Sequence, residues 1–267
     1  MQTKILIGCA GWDYNDWVGP FYPKNMERFH HLEYYTKYFD IVEINSTFYN
    51  LPSEEMVINW VERVPKSFRY IVKVWQKISH NLNDPELESH IAQFYSRMAF
   101  LKEKISKFLI QFPPWFKYSE KHFKQLSTLL KQIPLEYNYV IELRDNSWFD
   151  AEVISKIIDR SRIILGTTYI PGVTPYYMPN QRKYYIRLIG DRELNVFNRI
   201  QRKQEDAIND LTQKIQNLTQ SPEIYEIFII VNNHFAGFAP ESANELKKRF
   251  NIPIKRFNQQ KKISEFF

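Results

Sequence analysis

The chain has 267 residues and a mass of 32.3 kDa; 44% of its residues are hydrophobic and 25% are charged, which excludes a disordered protein. It has 36 basic and 30 acidic residues, so its net charge is +6 and its pI is about 9.1, a balance that favours anionic partners. The single cysteine, Cys9, excludes an internal disulfide framework, and no apolar run approaches the roughly 18 residues that span a bilayer. We therefore expect a cytoplasmic protein that does not associate with membranes.

Eight short runs rich in β-branched and aromatic residues recur along the chain, at a spacing typical of βα units. Each run is short enough to be a single buried strand of a parallel sheet. The predicted strands are Lys4–Cys9, Ile41–Asn45, Tyr70–Val74, Phe108–Phe112, Tyr139–Leu143, Ile163–Thr167, Tyr184–Ile189 and Glu226–Asn232.

Helical periodicity fills all but one of the gaps between these runs. Ser119 and Asp150 are predicted N-caps, and Pro240 stands in the first turn of the last helix. Residues 169–183 contain three prolines, which predicts a long loop in place of the sixth helix. The predicted helices are Phe29–Tyr38, Glu54–Val64, Pro85–Glu103, Glu120–Gln132, Ala151–Arg160, Gln204–Leu218 and Pro240–Phe250.

Eight strands, each followed by a helix or, after the sixth, by a loop, indicate an α/β fold, a closed (β/α)8 barrel of the TIM type, with residues 1–267 as one domain. The alternative is an open, doubly wound sheet. That fold usually has a glycine-rich turn after its first strand, whereas this chain has Gly-Cys-Ala-Gly-Trp and only 7 glycines in all.

Polar and charged residues stand at the carboxyl ends of six predicted strands, where barrel enzymes carry their active sites. Strand alternation places Glu43 with Asn45, and Glu142 with Arg144, on one side of the sheet. If that side is the lumen, three cations meet two carboxylates, and the surplus charge suits an anionic or highly oxygenated small molecule. The strand-end residues and those that follow them include Glu43, Asn45, Lys73, His80, Gln111, Glu142, Arg144, Arg187, Asn232 and Asn233.

Two carboxylates in one pocket can act as general acid and base or as acid and nucleophile, which makes Glu43 and Glu142 the leading catalytic candidates. The competing interpretation is a salt-bridged plug, in which Glu43 pairs with Lys73 and Glu142 pairs with Arg144 or Arg187. We predict no metal site and no cofactor, because the sequence lacks HxH, HExxH and aspartate clusters.

The remaining candidates are histidines and aromatic residues in the loops that follow the strands. Among the histidines, His80 and His234 occupy such loops, and we count His80 with the catalytic candidates. Cys9 lies in an apolar strand and is expected to be a small core residue. Aromatic residues beyond the strand ends can stack on a ligand or pack as a lid: Trp12, Tyr49, Trp75, Trp115, Trp148 and Tyr169.

Several segments together resemble the YecE-like family, catalogued as domain-of-unknown-function family 72. They are IGCAGWDYNDWVGPFYP, EINSTFYNLP, FRYIVKVWQKISH, LIQFPPWF, VIELRDNSW, YIRLIG and VNNHFAGFAPESA, in the family's order from about Ile5 to Phe250. The resemblance implies a (β/α)8-type barrel and no established reaction, substrate or cofactor. It also implies that these residues are the family's characteristic positions: Gly11, Trp12, Glu43, Asn45, Tyr49, Lys73, His80, Gln111, Glu142, Arg144, Arg187 and Asn233.

The chain departs from the family pattern in two places. The family often has Arg-aromatic-His-Gly at the seventh strand, where this chain has Arg187-Leu188-Ile189-Gly190. It often has an aspartate near the end of the sixth strand, where this chain has Thr167, Thr168 and Tyr169. If the shared chemistry needs that histidine or aspartate, this member is altered or inactive.

The leading hypothesis is a metal-independent hydrolase or lyase that acts on a small anionic or polyhydroxylated compound. In it, Glu43, Glu142 and His80 are catalytic, and the substrate contacts Trp12, Asn45, Tyr49, Lys73, Gln111, Arg144, Arg187, Asn232 and Asn233. The alternatives are a nucleic-acid-binding or phosphodiester-processing barrel, suggested by the pI and the aromatic residues, and a non-catalytic ligand-binding protein. The sequence does not determine the oligomeric state.

Overall fold

The computed structural model describes residues 3–159 and 161–257, in which eight parallel strands close into a barrel. Each strand pairs with the next along the chain, and β8 pairs with β1 over six residues, from Lys4–Glu226 to Cys9–Val231. The predicted α/β barrel is therefore confirmed, with all eight strands in place. The strands are β1 (Lys4–Ala10), β2 (Ile41–Ile44), β3 (Arg69–Lys73), β4 (Ile105–Gln111), β5 (Tyr139–Glu142), β6 (Ile163–Tyr169), β7 (Lys183–Leu188) and β8 (Glu226–Val231).

Helices and helical turns lie between the strands, as expected for a barrel of βα units. The α-helices are α1 (His31–Tyr35), α2 (Ser46–Tyr49), α3 (Glu54–Glu62), α4 (Gln76–Ser79), α5 (Leu87–Met98), α6 (Glu120–Gln132), α7 (Ala151–Ser155), α8 (Glu205–Thr219), α9 (Asn233–Ala236) and α10 (Ala239–Arg249). Short 3-10 helices cover Asn15–Trp17, Arg28–His30, Ala99–Lys104 and Asn146–Trp148. Within the described ranges, no helix is both long and apolar enough to cross a membrane.

Local capping explains where several predicted helices begin. Ser119 accepts a hydrogen bond from the His122 backbone N–H, and α6 has the predicted bounds. Asp150 caps α7 through the N–H groups of Glu152 and Val153, but α7 ends at Ser155, earlier than predicted. The predicted end of that helix, Arg160, lies outside the described residues.

The other differences concern helix ends and the loop after β6. Residues 170–182 contain no helix, as their prolines predict. The predicted helix Phe29–Tyr38 divides into a 3-10 turn and the short helix α1. The predicted helix Pro85–Glu103 likewise divides into α5 and a 3-10 segment that runs to Lys104.

Alternation along the strands divides the barrel's apolar residues into an outer core against the helices and a smaller core inside the lumen. Near the amino ends of the strands, Lys107 and Glu226 form an ion pair inside the barrel, with 3.5 Å between Nζ and Oε2. β1 approaches β2 so closely that a Cβ at Gly8 would lie 2.3 Å from the Ile41 carbonyl oxygen. The lumen core contains Ala10, Ile41, Ile71, Leu109, Val140, Ile164, Tyr185, Phe228 and Ile230.

Candidate functional site

A polar layer lies directly above the lumen core, at the carboxyl ends of the strands. Each of its members is two residues beyond an apolar lumen residue or the small Gly166 on the same strand, so the two share a face. The members are buried. This layer contains Glu43 (β2), Lys73 (β3), Gln111 (β4), Glu142 (β5), Thr168 (β6) and Arg187 (β7).

Arg187 links the two carboxylates of the layer. Its Nε and Nη2 donate to the two oxygens of Glu43 at 2.8 and 2.6 Å, and its Nη1 donates to Glu142 Oε2 at 2.6 Å. Burial disfavours its charge, but Glu142 and Glu43 raise the pKa of Arg187 above its usual value. The guanidinium is therefore permanently charged and held at three points.

Glu142 has a second arginine partner, Arg144, whose Nε donates to Glu142 Oε1 at 2.6 Å. Burial raises the pKa of Glu142, but Arg144 and Arg187 outweigh it and lower the pKa to about 2. Glu142 is therefore a carboxylate at neutral pH, and it is a poor proton donor there.

Tyr185 completes the environment of Glu43. It precedes Arg187 by two residues on β7, and its hydroxyl donates to Glu43 Oε2 at 2.5 Å. Burial and the Glu43 carboxylate raise the pKa of Tyr185 well above its usual value. Tyr185 therefore remains a hydrogen-bond donor to the Glu43 carboxyl group at neutral pH.

Lys73 has a different environment from the two arginines. Its Nζ lies 3.7 Å from the centroid of the Phe48 ring, and no carboxylate in the described part of the chain lies within 4.0 Å of it. Burial, and then the charge of Arg187, lowers the pKa of Lys73 to about 7. In the competing interpretation of a salt-bridged plug, the pair of Glu43 with Lys73 is wrong, because Arg187 and Tyr185 occupy the Glu43 oxygens. Its other part is present, since Glu142 pairs with Arg144 and Arg187.

Two further groups contribute polar atoms to the layer. Thr168 is buried and its hydroxyl has no hydrogen-bond partner among the residues that the structure describes. Gln111 donates from Nε2 to the Phe112 carbonyl at 2.6 Å. An unpartnered buried hydroxyl calls for an explanation, and a water molecule or a bound ligand would satisfy it.

His80 lies beside the layer, at the end of α4, and is half-buried. Its ring centroid is 5.0 Å from that of Phe48, so Phe48 lies against both His80 and Lys73. Burial, and then the charges of Lys73 and Arg144, lowers the pKa of His80 to about 4. His80 is therefore neutral at pH 7, and it lines a cavity of about 110 Å³ together with Asn81, Asn83, Trp115, Lys121 and Gln125.

The structure brings Glu43, Lys73, Gln111, Glu142, Arg144 and Arg187 together, with His80 beside them. Asn45 and Asn232 each lie one residue beyond a strand and are half-buried, and Asn232 caps α9 through the His234 N–H. Tyr49, on α2, is 60% exposed.

Trp12 and Asn233 have other surroundings. Trp12 packs against Trp60, with ring centroids 5.7 Å apart, and lines a separate cavity of about 330 Å³. Asn233 points outward and accepts hydrogen bonds from Trp17 Nε1 at 3.1 Å and from the Ala239 N–H. These contacts give Asn233 a structural role, in which it holds the loop after β1 against the start of α10.

Sequence reasoning missed Tyr185 and Phe48, and it considered Thr168 only as a departure from the family pattern. Alternation along β7 and β6 was enough to place Tyr185 and Thr168 in the lumen. Phe48 had no such signal, because it lies on the helix α2 and not on a strand. It comes near Lys73 because α2 is tied to β3 by the Thr47 hydroxyl, which donates to the Lys73 carbonyl at 2.6 Å.

Among the described residues, no three or more His, Cys, Asp or Glu side chains are grouped so that they could hold a metal ion. Cys9 is fully buried, and burial raises the pKa of its thiol to about 12. Its thiol is therefore not a nucleophile at neutral pH, in agreement with its expected place in the core.

The chain is similar to curated proteins of the UPF0759 group. It is 27% identical to the UPF0759 protein YecE of Escherichia coli K12 over 179 residues, which are 64% of this chain and 62% of YecE. It is 22% identical to the UPF0759 protein YunF of Bacillus subtilis, with 93% of this chain and 95% of YunF aligned. The match to YecE thus spans less than two thirds of that protein.

Solved structures of similar proteins have the same fold. A DUF72 family protein from Thermotoga maritima superposes with a TM-score of 0.76 at 24% identity, covering 92% of this chain and 99% of that one. A DUF72 family protein from Enterococcus faecalis gives a TM-score of 0.75 at 24% identity, covering 95% and 99%. The family described as "Protein of unknown function DUF72" matches residues 6–265, and the chain belongs to that family.

Proposed function

We propose that the barrel mouth is the binding site of an enzyme, a hydrolase or lyase, for a small anionic or polyhydroxylated compound. The observation that carries this proposal is the charge balance of the layer together with Arg144, which lies two residues beyond Glu142: three cations meet two carboxylates. Arg187 donates hydrogen bonds to both carboxylates through Nε and its two Nη atoms. Among the described residues, by contrast, Lys73 has no carboxylate within 4.0 Å, and Arg144 donates to Glu142 only through Nε. An anionic ligand group would compensate these two cations.

The contacts assign different roles from those expected for the two carboxylates. Glu43 and Glu142 position Arg187 and Arg144, because both are held by arginines and Glu142 remains ionised. The group with a pKa near neutrality is Lys73, and a general acid or base works best when its pKa lies near the working pH. We therefore assign proton transfer to Lys73 and anion binding to Arg144.

The groups around these two cations can position a polar ligand. Thr168 offers an unpartnered hydroxyl, Gln111 offers an amide oxygen, and neutral His80 offers a ring nitrogen beside the cavity. Polar groups that are already in place can stabilise developing charge without reorganisation.

A second candidate function is ligand binding without catalysis. It is favoured by the mutual pairing of Glu43, Glu142 and Arg187, which resembles a rigid plug across the barrel mouth. A plug of this kind would still leave Lys73 and Arg144 to bind an anion. The two candidates therefore differ in turnover and agree on the binding site.

Binding is tested with thermal unfolding in a panel of phosphate, sulfate, citrate, lactate and gluconate. We expect at least one anion to raise the Tm of the wild-type protein, since ligands that bind only the folded state stabilise it. Arg144→Gln should abolish that shift. Arg162→Gln is the matched control, because Arg162 precedes β6 at the opposite end of the barrel.

The proposal fails if no compound shifts the Tm, or if the Arg144 and Arg162 variants respond alike. Catalysis is then tested by incubating any binding compound with the protein and following its loss by mass spectrometry. Loss with the wild type and none with Lys73→Met supports an enzyme. Binding that is never accompanied by loss of the compound supports the non-catalytic candidate.

A further inference from the structure

We propose that Lys73 is a carbonyl-trapping nucleophile, which forms an iminium with a small 2-oxo acid or with an aldehyde that carries an anionic group. This inference rests on the proposed function and names the substrate class of the same site. The geometry points to it through three observations, on the neighbours of Lys73, on the charge of the site and on the adjoining cavity.

The neighbours of Lys73 favour a reactive amine over a structural ammonium. A structural buried lysine is normally paired with a carboxylate, as Lys107 is with Glu226 in the same lumen. Lys73 is 8% exposed against 2% for Lys107, and each lies on an aromatic ring, Phe48 and Phe228 respectively. Among the described residues Lys73 differs in having no carboxylate within 4.0 Å and in lying near Arg187 and Arg144. An apolar wall and neighbouring cations are the two conditions that activate a lysine as a nucleophile.

The charge of the site selects the kind of carbonyl compound. Lys73, Arg144 and Arg187 carry three positive charges when all are protonated, and Glu43 and Glu142 carry two negative charges. A substrate with one anionic group brings this balance to zero, and Arg144 has unpaired Nη groups, within the described ranges, to receive it. A neutral aldehyde or ketone would leave the surplus charge uncompensated.

The cavity beside His80 sets the size of the compound. Its volume of about 110 Å³ is well below the roughly 300 Å³ at which sites for drug-sized ligands begin, so it suits a ligand of few heavy atoms. Phe48 contacts both His80, which lines this cavity, and Lys73, which does not. A carbonyl compound in the cavity would therefore reach Lys73 by a movement of the Phe48 ring.

The chemical step balances without a co-reactant. The neutral Nζ attacks the carbonyl carbon, the C–O bond of the resulting carbinolamine breaks, and the oxygen leaves as water. Taken from the ammonium form, Lys–NH₃⁺ and the carbonyl compound give the iminium and one water with no net exchange of protons. The iminium can then accept electrons from a bond that breaks next to it, as a lyase reaction requires.

The inference is tested by reductive trapping on the wild-type protein. Glyoxylate or pyruvate is added at about pH 7 with sodium cyanoborohydride, which reduces an iminium to a stable secondary amine, and the modified lysine is located by peptide mapping. About half of the Lys73 side chains are unprotonated at this pH, against about one in 2,500 for a lysine with a pKa of 10.4. We expect the adduct to be enriched at Lys73 by more than about tenfold over exposed lysines.

Lys107 is the internal control, because it is a buried lumen lysine at the other end of the barrel with a carboxylate partner. Modification of Lys107 equal to that of Lys73, an even distribution over exposed lysines, or no adduct at all would overturn the inference. Lys73→Arg, which keeps the positive charge, should lose the adduct while other lysines react as before.

Separate measurements distinguish the failure of this inference from that of the proposed function. Lactate resembles pyruvate but has no carbonyl group that could form an iminium. If lactate shifts the Tm in an Arg144-dependent way and pyruvate gives no adduct, only the iminium is excluded. If neither lactate nor any other anion in the panel binds, the proposed binding site fails as well.

Discussion

Arg187 and Glu43 form a two-point ion pair across the barrel lumen, with the contacts at 2.8 and 2.6 Å. They stand on β7 and β2, which are separated in the sheet by β8 and β1. Because Arg187 also binds Glu142 on β5, one side chain joins three strands that share no backbone hydrogen bonds with one another. Arg187 therefore holds these three strands together at the barrel mouth and fixes the positions of both carboxylates of the proposed site.

Arg187→Ala should strongly destabilise the protein. The change leaves the Glu43 carboxylate and one oxygen of Glu142 without their arginine partner in a buried site, and breaking a buried pair in this way costs about 3–5 kcal/mol. The free energy of unfolding is measured by urea denaturation. Arg162→Ala, which removes a partly exposed pair with Asp159, should cost less, about 1 kcal/mol. Equal losses in the two variants would contradict this prediction.

Tyr185→Phe should cost more stability than Tyr184→Phe, its neighbour on the opposite face of β7. Tyr185 donates to the Glu43 carboxylate, whereas Tyr184 donates to the neutral Met178 carbonyl at 2.9 Å. Hydrogen bonds to charged groups contribute about 1.5–3 kcal/mol and neutral ones about 0.5–1.5 kcal/mol. Urea denaturation of both variants checks the order, and a larger loss for Tyr184→Phe would show that Glu43 does not depend on Tyr185.

Lys73→Met should change the dependence of stability on alkaline pH. Because the folded protein lowers the pKa of Lys73 to about 7 from 10.5, the unfolded chain binds more protons between these values. Wild-type stability should thus rise relative to the variant from pH 7 to 10.5, by up to about 1.4 kcal/mol per pH unit. The exposed Lys102→Met is the control, and parallel curves for wild type and Lys73→Met would refute the prediction.

Glu142→Gln should remove an acid-sensitive contribution to stability. The folded state lowers the pKa of Glu142 to about 2 from 4.5, so its contribution is complete above the higher value and is lost as the pH falls through the lower one. The free energy of unfolding should therefore fall less steeply in the variant over this range. Glu120→Gln, an exposed residue on α6, should follow the wild type. A variant that is as acid-sensitive as the wild type would exclude this role of Glu142.

Nucleic-acid binding is expected to be absent or weak, although the pI is about 9.1. The basic residues are scattered along the chain, and the buried cations of the layer are held by carboxylates or by Phe48. Fluorescence anisotropy with single- and double-stranded DNA and RNA at about 50 and 200 mM salt tests this expectation. Tight binding that weakens steeply with salt would favour the nucleic-acid alternative instead.

The sequence determined the barrel and most of the residues at its mouth. A period of two along each strand identifies the residues that share a face, so Glu43, Lys73, Glu142 and Arg187 were predictable as one layer. The period of two was less reliable for residues that follow the end of a strand, because the backbone is no longer extended there. Asn232 and Asn233 were both candidates, but Asn233 faces Trp17 on the outside of the barrel.

Only the tertiary structure decided the partners. Ion pairing across the lumen depends on the stagger of strands that are distant in sequence, and the sequence holds no local record of that stagger. In the closed barrel, Glu43 pairs with Arg187, and Lys73 lies beside Phe48. Three cations and two carboxylates cannot all pair, and the geometry of closure is what left the lysine, and neither arginine, without a carboxylate among the described residues.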